Sequence, residues 1–444
     1  MSAAPERVHD PALDRLRSAW TERRGLGTAV DEVQRRALDV ALARGLPSAR
    51  DEAWKYTSLR RFGSRSFALP AAGPTLIAAD FEAGLLPASG WHRIVFVDGR
   101  YEASLSTPFP VARGVTIRSL AEVAADDPDR LASRLGVSAT DHTPFFAALN
   151  ASFVEDGLVI ELGPHGEVAE PLYVVHVATT RERATMSHCR VLIDAAEQSR
   201  AIVVEHHIGR AAGENFTNVV TEVRLGAGAK LEHYRLQDEP SRSFHFARLD
   251  AALDGDASLV AHRIGLGAAL DRTDIDVRLE GAGAEVALHG LFVVDGTRHL
   301  DTHTRVDHLA PYTCSDEDYR GLATDRGRGV FNGKAIVHPG AQHIEAHQSS
   351  RNLLLSSSAE IDTKPEFEIY ADDVKCSHGA TTGQLDPAAL FYLRSRAIPE
   401  DEARALLTHA FAATVIARMS LGPVREYLDR ALLTRLRGVD GGPT

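Results

Sequence analysis

The stretch Asp274–Ala284, DIDVRLEGAGA, decides the fold. In its first half, Ile275, Val277 and Leu279 alternate with charged residues, which is the period of a β-strand with one buried face. Its second half is a run of small residues, and glycine lets a chain bend tightly between strands. The stretch therefore predicts a strand that ends in a sharp corner.

Corners of the same kind return at a nearly constant interval. They are Gly226–Ala229, Asp254–Ala257 and Gly281–Ala284, with weaker forms at Gly163–Gly166 and Pro339–Ala341. The first three start 28 and 27 residues apart, and no long helical pattern interrupts residues 157–375. A fixed repeat of strands and corners is typical of a solenoid, in which each coil stacks on the next. We predict a mainly β protein with a β-helix core, since a large β-sandwich would explain the alternation but not the spacing.

Helical patterns flank this core on both sides. Residues 10–62 read as helical, with one helix before Gly45 and a second over Ser48–Phe62. The same spacing of apolar residues returns after Asp386, where three further helices are expected. The predicted organisation is an N-terminal helical region (1–70, ending in a linker at Leu69–Pro74), a mixed α/β connector (71–150), the β-helix core (151–380) and a C-terminal helical region (381–444).

Composition excludes several classes of protein. The 444 residues carry 61 acidic against 49 basic side chains, a net charge of −12, which argues against broad binding to nucleic acids or anionic membranes. The charged N-terminus lacks the apolar segment of a signal peptide, and no apolar run is long enough to cross a bilayer. Three scattered cysteines cannot form a disulfide framework. These features favour a cytoplasmic protein.

Histidines supply the first candidate chemistry. Six of them lie between His299 and His347, with acidic residues among them. In a solenoid, residues one coil apart can stack and assemble a metal site, and His303, His308 and Glu345 are the candidate ligands. Their spacing matches no specific motif, so solvated surface histidines are the simpler explanation. If they do bind a metal, the chain would be a metal-dependent β-helix enzyme.

The segment KCSHGATTGQLD, Lys375–Asp386, supplies a sharper pair. On a strand, Cys376 and His378 project from the same face, and both side chains suit iron or zinc. One thiol and one imidazole cannot fill a tetrahedral coordination sphere, so such a site would need a partner chain or added sulfide. The alternative is a half-buried cysteine that only closes the last coil.

Three segments resemble a known family. Arg351–Ile398 resembles the hallmark segment of SufD proteins, Asp301–Lys334 the part before it, and Ala49–Leu59 the N-terminal helical motif. SufD proteins are scaffolds of the SUF iron–sulfur cluster assembly machinery and form one family with SufB. SufB typically carries CEHEA where this chain has Cys376-Ser-His-Gly-Ala380, so Gly379 favours the SufD branch.

The resemblance implies a right-handed parallel β-helix between two helical regions and a non-catalytic scaffold in a SufB–SufC–SufD complex. It implies a cluster-building site at the SufB–SufD interface, where His378 and Cys376 match the family's histidine and cysteine. Iron and sulfide would bind there transiently, and the isolated chain would hold no stable cofactor. The C-terminal helices, with Leu390, Leu406 and Phe411 as candidate contacts, would dock the ABC-type ATPase SufC. The alternatives to the scaffold are the metal-dependent β-helix enzyme and a purely structural interaction protein. In the absence of SufB the chain could form a homodimer.

Overall fold

The computed structural model describes residues 10–23, 25–70, 84–110, 112–136, 140–179, 183–210 and 213–438. Three helices precede the β core: α1 (Pro11–Trp20), α2 (Thr28–Arg44) and the single turn α3 (Arg60–Gly63). Three more lie beside its first strands: α4 (Leu120–Asp126), α5 (Pro128–Gly136) and α6 (Phe145–Phe153). The chain ends in α7 (Pro387–Arg394), α8 (Glu400–Ile416) and α9 (Gly422–Gly438).

Nineteen strands are described, and consecutive strands from β4 onward alternate between two sheets. Sheet A has the order β18-β16-β14-β12-β10-β8-β6-β4-β3, and sheet B has the order β19-β17-β15-β13-β11-β9-β7-β5-β1-β2. The strands are β1 (His92–Val97), β2 (Arg100–Tyr101), β3 (Val115–Ser119), β4 (Asp156–Leu162), β5 (Leu172–Thr179), β6 (Thr185–Ala195), β7 (Arg200–Arg210), β8 (Asn215–Leu225), β9 (Lys230–Asp238), β10 (Phe244–Leu253), β11 (Ser258–Gly265), β12 (Leu270–Leu279), β13 (Glu285–Val294), β14 (His299–His308), β15 (Cys314–Ala323), β16 (Arg328–Val337), β17 (Ile344–Leu354), β18 (Glu360–Ile369) and β19 (Val374–Gly383). Neighbouring strands from β4 to β19 pair in parallel, which confirms the predicted parallel β-solenoid.

The alternation that predicted the strands sorts their side chains between the inside and the outside of the solenoid. Ile275 of β12 lies beside Leu249 of β10, and Val277 lies beside Val306 of β14. These inward side chains are almost completely buried, as is Leu279 at the end of β12. Apolar side chains of adjacent coils stack on one another in this way, so each coil removes apolar surface from water. This burial is the main source of stability in a solenoid.

The corners pack as closely as the strands. A side chain at Gly281 would lie 2.0 Å from the backbone nitrogen of Gly255 in the preceding coil, so only glycine fits there. Gly283, two residues on, has φ +74°, a conformation that other residues adopt at a cost. The small-residue corners seen in the sequence are therefore required by the stacking of adjacent coils.

Helices cover parts of the outer faces of both sheets. Apolar residues of α8 and α9, among them Val415 and Leu428, pack on the outward side chains of sheet B. On sheet A, the outward rings of Phe216 and Phe246 pack against Phe62 and Phe146 of the N-terminal helices, and the Phe146 and Phe246 ring centroids are 3.7 Å apart. Among the described helices, none combines the length and the apolarity needed to cross a membrane.

The predicted helix over Ser48–Phe62 is wrong. That segment forms only a short 3-10 turn, Glu52–Trp54, and the single turn α3. Tertiary contacts decide its path, because the Trp54 ring packs on Phe146 and Phe246 and the Arg272 guanidinium lies 4.6 Å above it. Most of the predicted linker Leu69–Pro74 lies outside the described residues.

Candidate functional site

The C-terminal end of the solenoid is open. β18 and β19 are the last strands of sheets A and B, and in the described part of the chain neither has a neighbour on its outer side. Such edges expose rows of backbone N–H and C=O groups that can pair with another strand. Ile369 and Tyr370, at the end of β18, keep 41% and 60% of their surface exposed. Both sheets thus end at one place in a surface suited to strand pairing.

Cys376 and His378 lie on β19 and point along the inward face. Their register neighbours on β17 are Ala346 and Gln348, which are buried inside the solenoid. One coil further on, the same inward positions are uncovered, so His378 is exposed and Cys376 half-buried. The prediction that the two side chains share a face is consistent with this geometry. They would become interior only if another coil were added.

Phe367 lies beside this pair on β18. Its ring stacks on the His378 imidazole with centroids 5.0 Å apart and planes 8° from parallel, which fixes the orientation of the imidazole. The described residues make no hydrogen bond to the His378 ring, so its nitrogens face solvent. Cys376 packs against a small apolar cluster that includes Val337 and Ala346. Burial raises the pKa of the Cys376 thiol, which is therefore protonated at neutral pH.

The other sequence candidates lie in three separate environments. His303 is on the outer face of sheet A, with Nε2 3.1 Å from Asp301 Oδ1. His308 is buried inside, and its two ring nitrogens are 2.8 Å from Thr313 Oγ1 and 3.0 Å from Ser315 Oγ. Glu345 is exposed and pairs with Lys375 at 2.8 Å. The structure does not bring these three candidate ligands together.

The C-terminal helices carry an exposed apolar surface. Phe391 and Tyr392 of α7 are 74% and 55% exposed, and Leu406 of α8 is 45% exposed. Leu390 is half-buried beside them. Phe411 instead packs inward, where the Arg320 guanidinium lies 4.8 Å from its ring centroid.

The sequence analysis did not predict a second cluster of potential metal ligands. His176, Glu205 and His207 meet inside the solenoid, with potential ligand atoms within 4.8 Å of one another. The available signal was the Glu-x-His pair on one strand, because residues two apart share a face. Its partner His176 lies 31 positions before His207 in the sequence, one coil away, and only the register of β5 on β7 reveals the contact.

Comparison with known proteins agrees with this architecture. A family profile described as "SUF system FeS cluster assembly, SufBD core domain" matches residues 176–411, and "SufBD protein N-terminal region" matches residues 23–174. The iron–sulfur cluster assembly protein SufD of Escherichia coli is 33% identical over 93% of this chain and 94% of its own length. An iron–sulfur cluster assembly SufBD family protein of Synechocystis is 29% identical over 98% of both chains. This chain therefore belongs to the SufBD family of SUF-system iron–sulfur cluster assembly proteins.

Proposed function

We propose that this chain is a non-catalytic, cytoplasmic scaffold that pairs with a SufB-type solenoid and a SufC-type ATPase to build iron–sulfur clusters. One observation carries the proposal: both sheets end together in unpaired edge strands, β18 and β19, with Cys376 and His378 projecting from the uncovered inward face. A scaffold that supplies half of a site needs such an incomplete end.

Strand addition gives a physical route to the complex. A partner with its own two-sheet open end can pair with β18 and β19 simultaneously, so that backbone hydrogen bonds continue across the joint. The added coil would bury Ile369 and Phe367, which are now partly or largely exposed. Two edges that point the same way also fix the orientation of the partner. The joint would therefore be specific as well as strong.

The chemistry of the joint follows from its side chains. Iron and sulfide are the cargo of the reaction, and an imidazole with free nitrogens can ligate iron. Stacking on Phe367 holds the His378 ring in one orientation, which lowers the entropic cost of binding. Cys376 would act once the partner supplies a cation or iron that lowers the pKa of its thiol. The remaining ligands would come from the partner.

ATP hydrolysis would be the task of another subunit. The stretch Gly327–Ala335, GRGVFNGKA, is the part of the sequence most similar to a phosphate-binding loop, but Ala335 stands where that motif has Ser or Thr. In the structure the stretch forms the end of a corner and most of strand β16. The exposed apolar surface of Phe391, Tyr392 and Leu406 is a suitable contact for such a subunit, since exposed apolar groups of this size favour protein partners.

The proposal is tested by anaerobic co-purification of the tagged chain with SufB-type and SufC-type subunits, followed by iron and sulfide assays. In His378→Ala the complex should form, but the iron and sulfide it holds should fall by roughly tenfold or more, as expected for a lost ligand. His347→Ala is the matched control. That histidine lies on the adjacent strand β17, faces the opposite way and pairs with Ser377.

Two results would contradict the proposal. A chain that purifies alone, or only as a homodimer, while both subunits are present would refute the scaffold complex. Unchanged iron and sulfide in His378→Ala combined with Cys376→Ala would favour a purely structural role for this end of the solenoid.

A further inference from the structure

A group of polar side chains fills part of the solenoid interior, far along the chain from Cys376 and His378. Sheet B contributes His176 from β5 and both Glu205 and His207 from β7. His176 and His207 are direct register neighbours, and their rings stack with centroids 4.4 Å apart and planes 4° from parallel. Glu205 and His207 are completely buried, and His176 is 7% exposed.

Three atoms in this group converge without partners. His176 Nε2 and His207 Nε2 are each 3.7 Å from Glu205 Oε2, which is too long for a hydrogen bond. All three are buried, and none has a hydrogen-bond partner among the described residues. Leaving a buried polar atom unpaired costs about 1–3 kcal/mol, so three such atoms at one point indicate a missing ligand.

The other oxygen of Glu205 is fully occupied. Glu205 Oε1 accepts from Thr221 Oγ1 at 2.7 Å and from Arg235 Nη2 at 3.1 Å, and it lies 2.7 Å from His233 Nε2. These contacts hold the carboxylate so that Oε2 points at the two imidazoles. Such outer partners are typical of carboxylates that ligate metals.

The protonation states suit a cation. Burial lowers the pKa of His176 well below its usual range and lowers the pKa of His207 to about 4, so both imidazoles are neutral and keep a lone pair. Burial alone would raise the pKa of Glu205, but the charge of Arg235 and the contacts of His207 and His233 together outweigh it and hold the pKa well below its usual range. The group therefore offers two neutral nitrogens and one anionic oxygen.

We propose that His176, Glu205 and His207 bind one divalent transition-metal ion, with Zn²⁺ the best match. Two imidazoles and a carboxylate are a common ligand set for this class of ion. Ligands about 2.0–2.2 Å from a tetrahedral zinc lie roughly 3.4 Å apart, so the observed 3.7 Å spacings to Glu205 need only a small shift. Because an imidazole lone pair lies in the ring plane, the two stacked rings must also tilt toward each other when the ion binds. His245, whose ring is 4.8 Å from the His207 ring, or a water molecule completes the sphere.

The ion is structural and does not belong to the cargo. Its ligands lie on β5 and β7 in the first coils and are buried in the solenoid interior, whereas Cys376 and His378 lie on the last strand. An ion in this place is taken up while the solenoid folds and then does not exchange. Because it joins two adjacent coils, it stabilises the end of the solenoid opposite the open one.

The test uses the full chain, purified natively from cells grown with Zn²⁺ or with Co²⁺ as a spectroscopic probe. Elemental analysis after dialysis against a chelator should find about one ion per chain, as for a closed structural site. The Co²⁺ form should absorb in the visible range. In His207→Gln the metal content should fall below about a tenth of the wild-type value.

His206→Gln is the matched control. His206 is equally buried and adjacent in sequence, but it lies on the other face of β7, 2.8 Å from Tyr173 Oη, so this variant should keep its ion. His176→Cys provides a second readout, because a thiolate ligand adds a charge-transfer band to the Co²⁺ spectrum. A metal-free wild-type chain from both media, or full metal content in His207→Gln, would overturn the proposal and leave a buried water as the occupant.

Discussion

At the scale of the residue, Glu317 of β15 shows how the solenoid interior tolerates an acid. Its side chain is completely buried, and Thr304 Oγ1 and Gln348 Nε2 donate hydrogen bonds to it at 2.5 and 2.9 Å. Burial raises the pKa of Glu317 to about 7 despite these two bonds. Among the described residues it forms no ion pair. The folded protein therefore holds a neutral carboxylic acid at mildly acidic pH.

This arrangement predicts a pH dependence. Between the ordinary pKa of 4.5 and about 7, the folded state binds a proton that the unfolded state has lost, so stability falls as pH rises through this window. Glu317→Gln should remove that slope and stabilise the protein above pH 7 by an amount on the order of 3 kcal/mol. Urea unfolding of both proteins at pH 5 and pH 8 measures the difference. If Glu317→Gln raised the free energy of unfolding equally at both pH values, Glu317 would not titrate in this range.

At the scale of the element, the corner decides whether two coils can stack. Gly281 and Gly255 occupy facing corners, yet their surroundings differ. A methyl group at Gly281 would lie 2.0 Å from a backbone nitrogen, whereas one at Gly255 would meet its nearest neighbour, Ala282 O, at an ordinary 3.4 Å. Neither residue has a positive φ, so the two differ only in available space.

The difference gives a matched pair of variants. Gly281→Ala should lower the free energy of unfolding by about 3 kcal/mol or more, since the clash is with backbone that cannot move alone. Gly255→Ala should change it by less than about 1 kcal/mol. Urea unfolding monitored by circular dichroism measures both values. If Gly281→Ala lowers the free energy of unfolding as little as Gly255→Ala does, the coils are spaced more widely than the structure indicates.

Sequence reasoning succeeds for elements whose pattern is local. Ile275, Val277 and the Gly281 corner together identify a repeating strand, because solenoid coils impose the same period on every copy. It fails for the predicted helix over Ser48–Phe62, where Trp54 is instead held by aromatic rings from α6 and β10. It predicted the Cys376–His378 pair, whose members share one strand. It missed His176 with His207, because their contact depends on register between coils.

At the scale of the whole molecule, the two ends of the solenoid are unlike. The first strands are covered: the rings of Tyr101 and Phe109 stack 5.4 Å apart and pack against the core. At the last strands no described element covers the inward face of β19. Soluble proteins usually protect such edges with charges, bulges or a cap. An end left open in a chain whose other end is capped is consistent with the proposed partner.

A last prediction concerns the open end and rests on the proposed pairing of β18 and β19 with a SufB-type partner. Ala380 and Thr381 are adjacent and exposed on β19, but Ala380 points along the inward face and Thr381 outward, opposite Arg351. A charge at Ala380 would be buried without a partner once a further coil docks, so Ala380→Glu should weaken association with a SufB-type subunit by tenfold or more, about 1.4 kcal/mol or above.

Thr381→Glu adds the same charge on the solvent side and should associate almost normally. Neither variant should alter the thermal unfolding of the isolated chain, because both positions are exposed there. Analytical ultracentrifugation of the mixed subunits separates the cases. Equal weakening by both substitutions would indicate that only net charge matters, and no weakening by Ala380→Glu would place the partner elsewhere on the molecule.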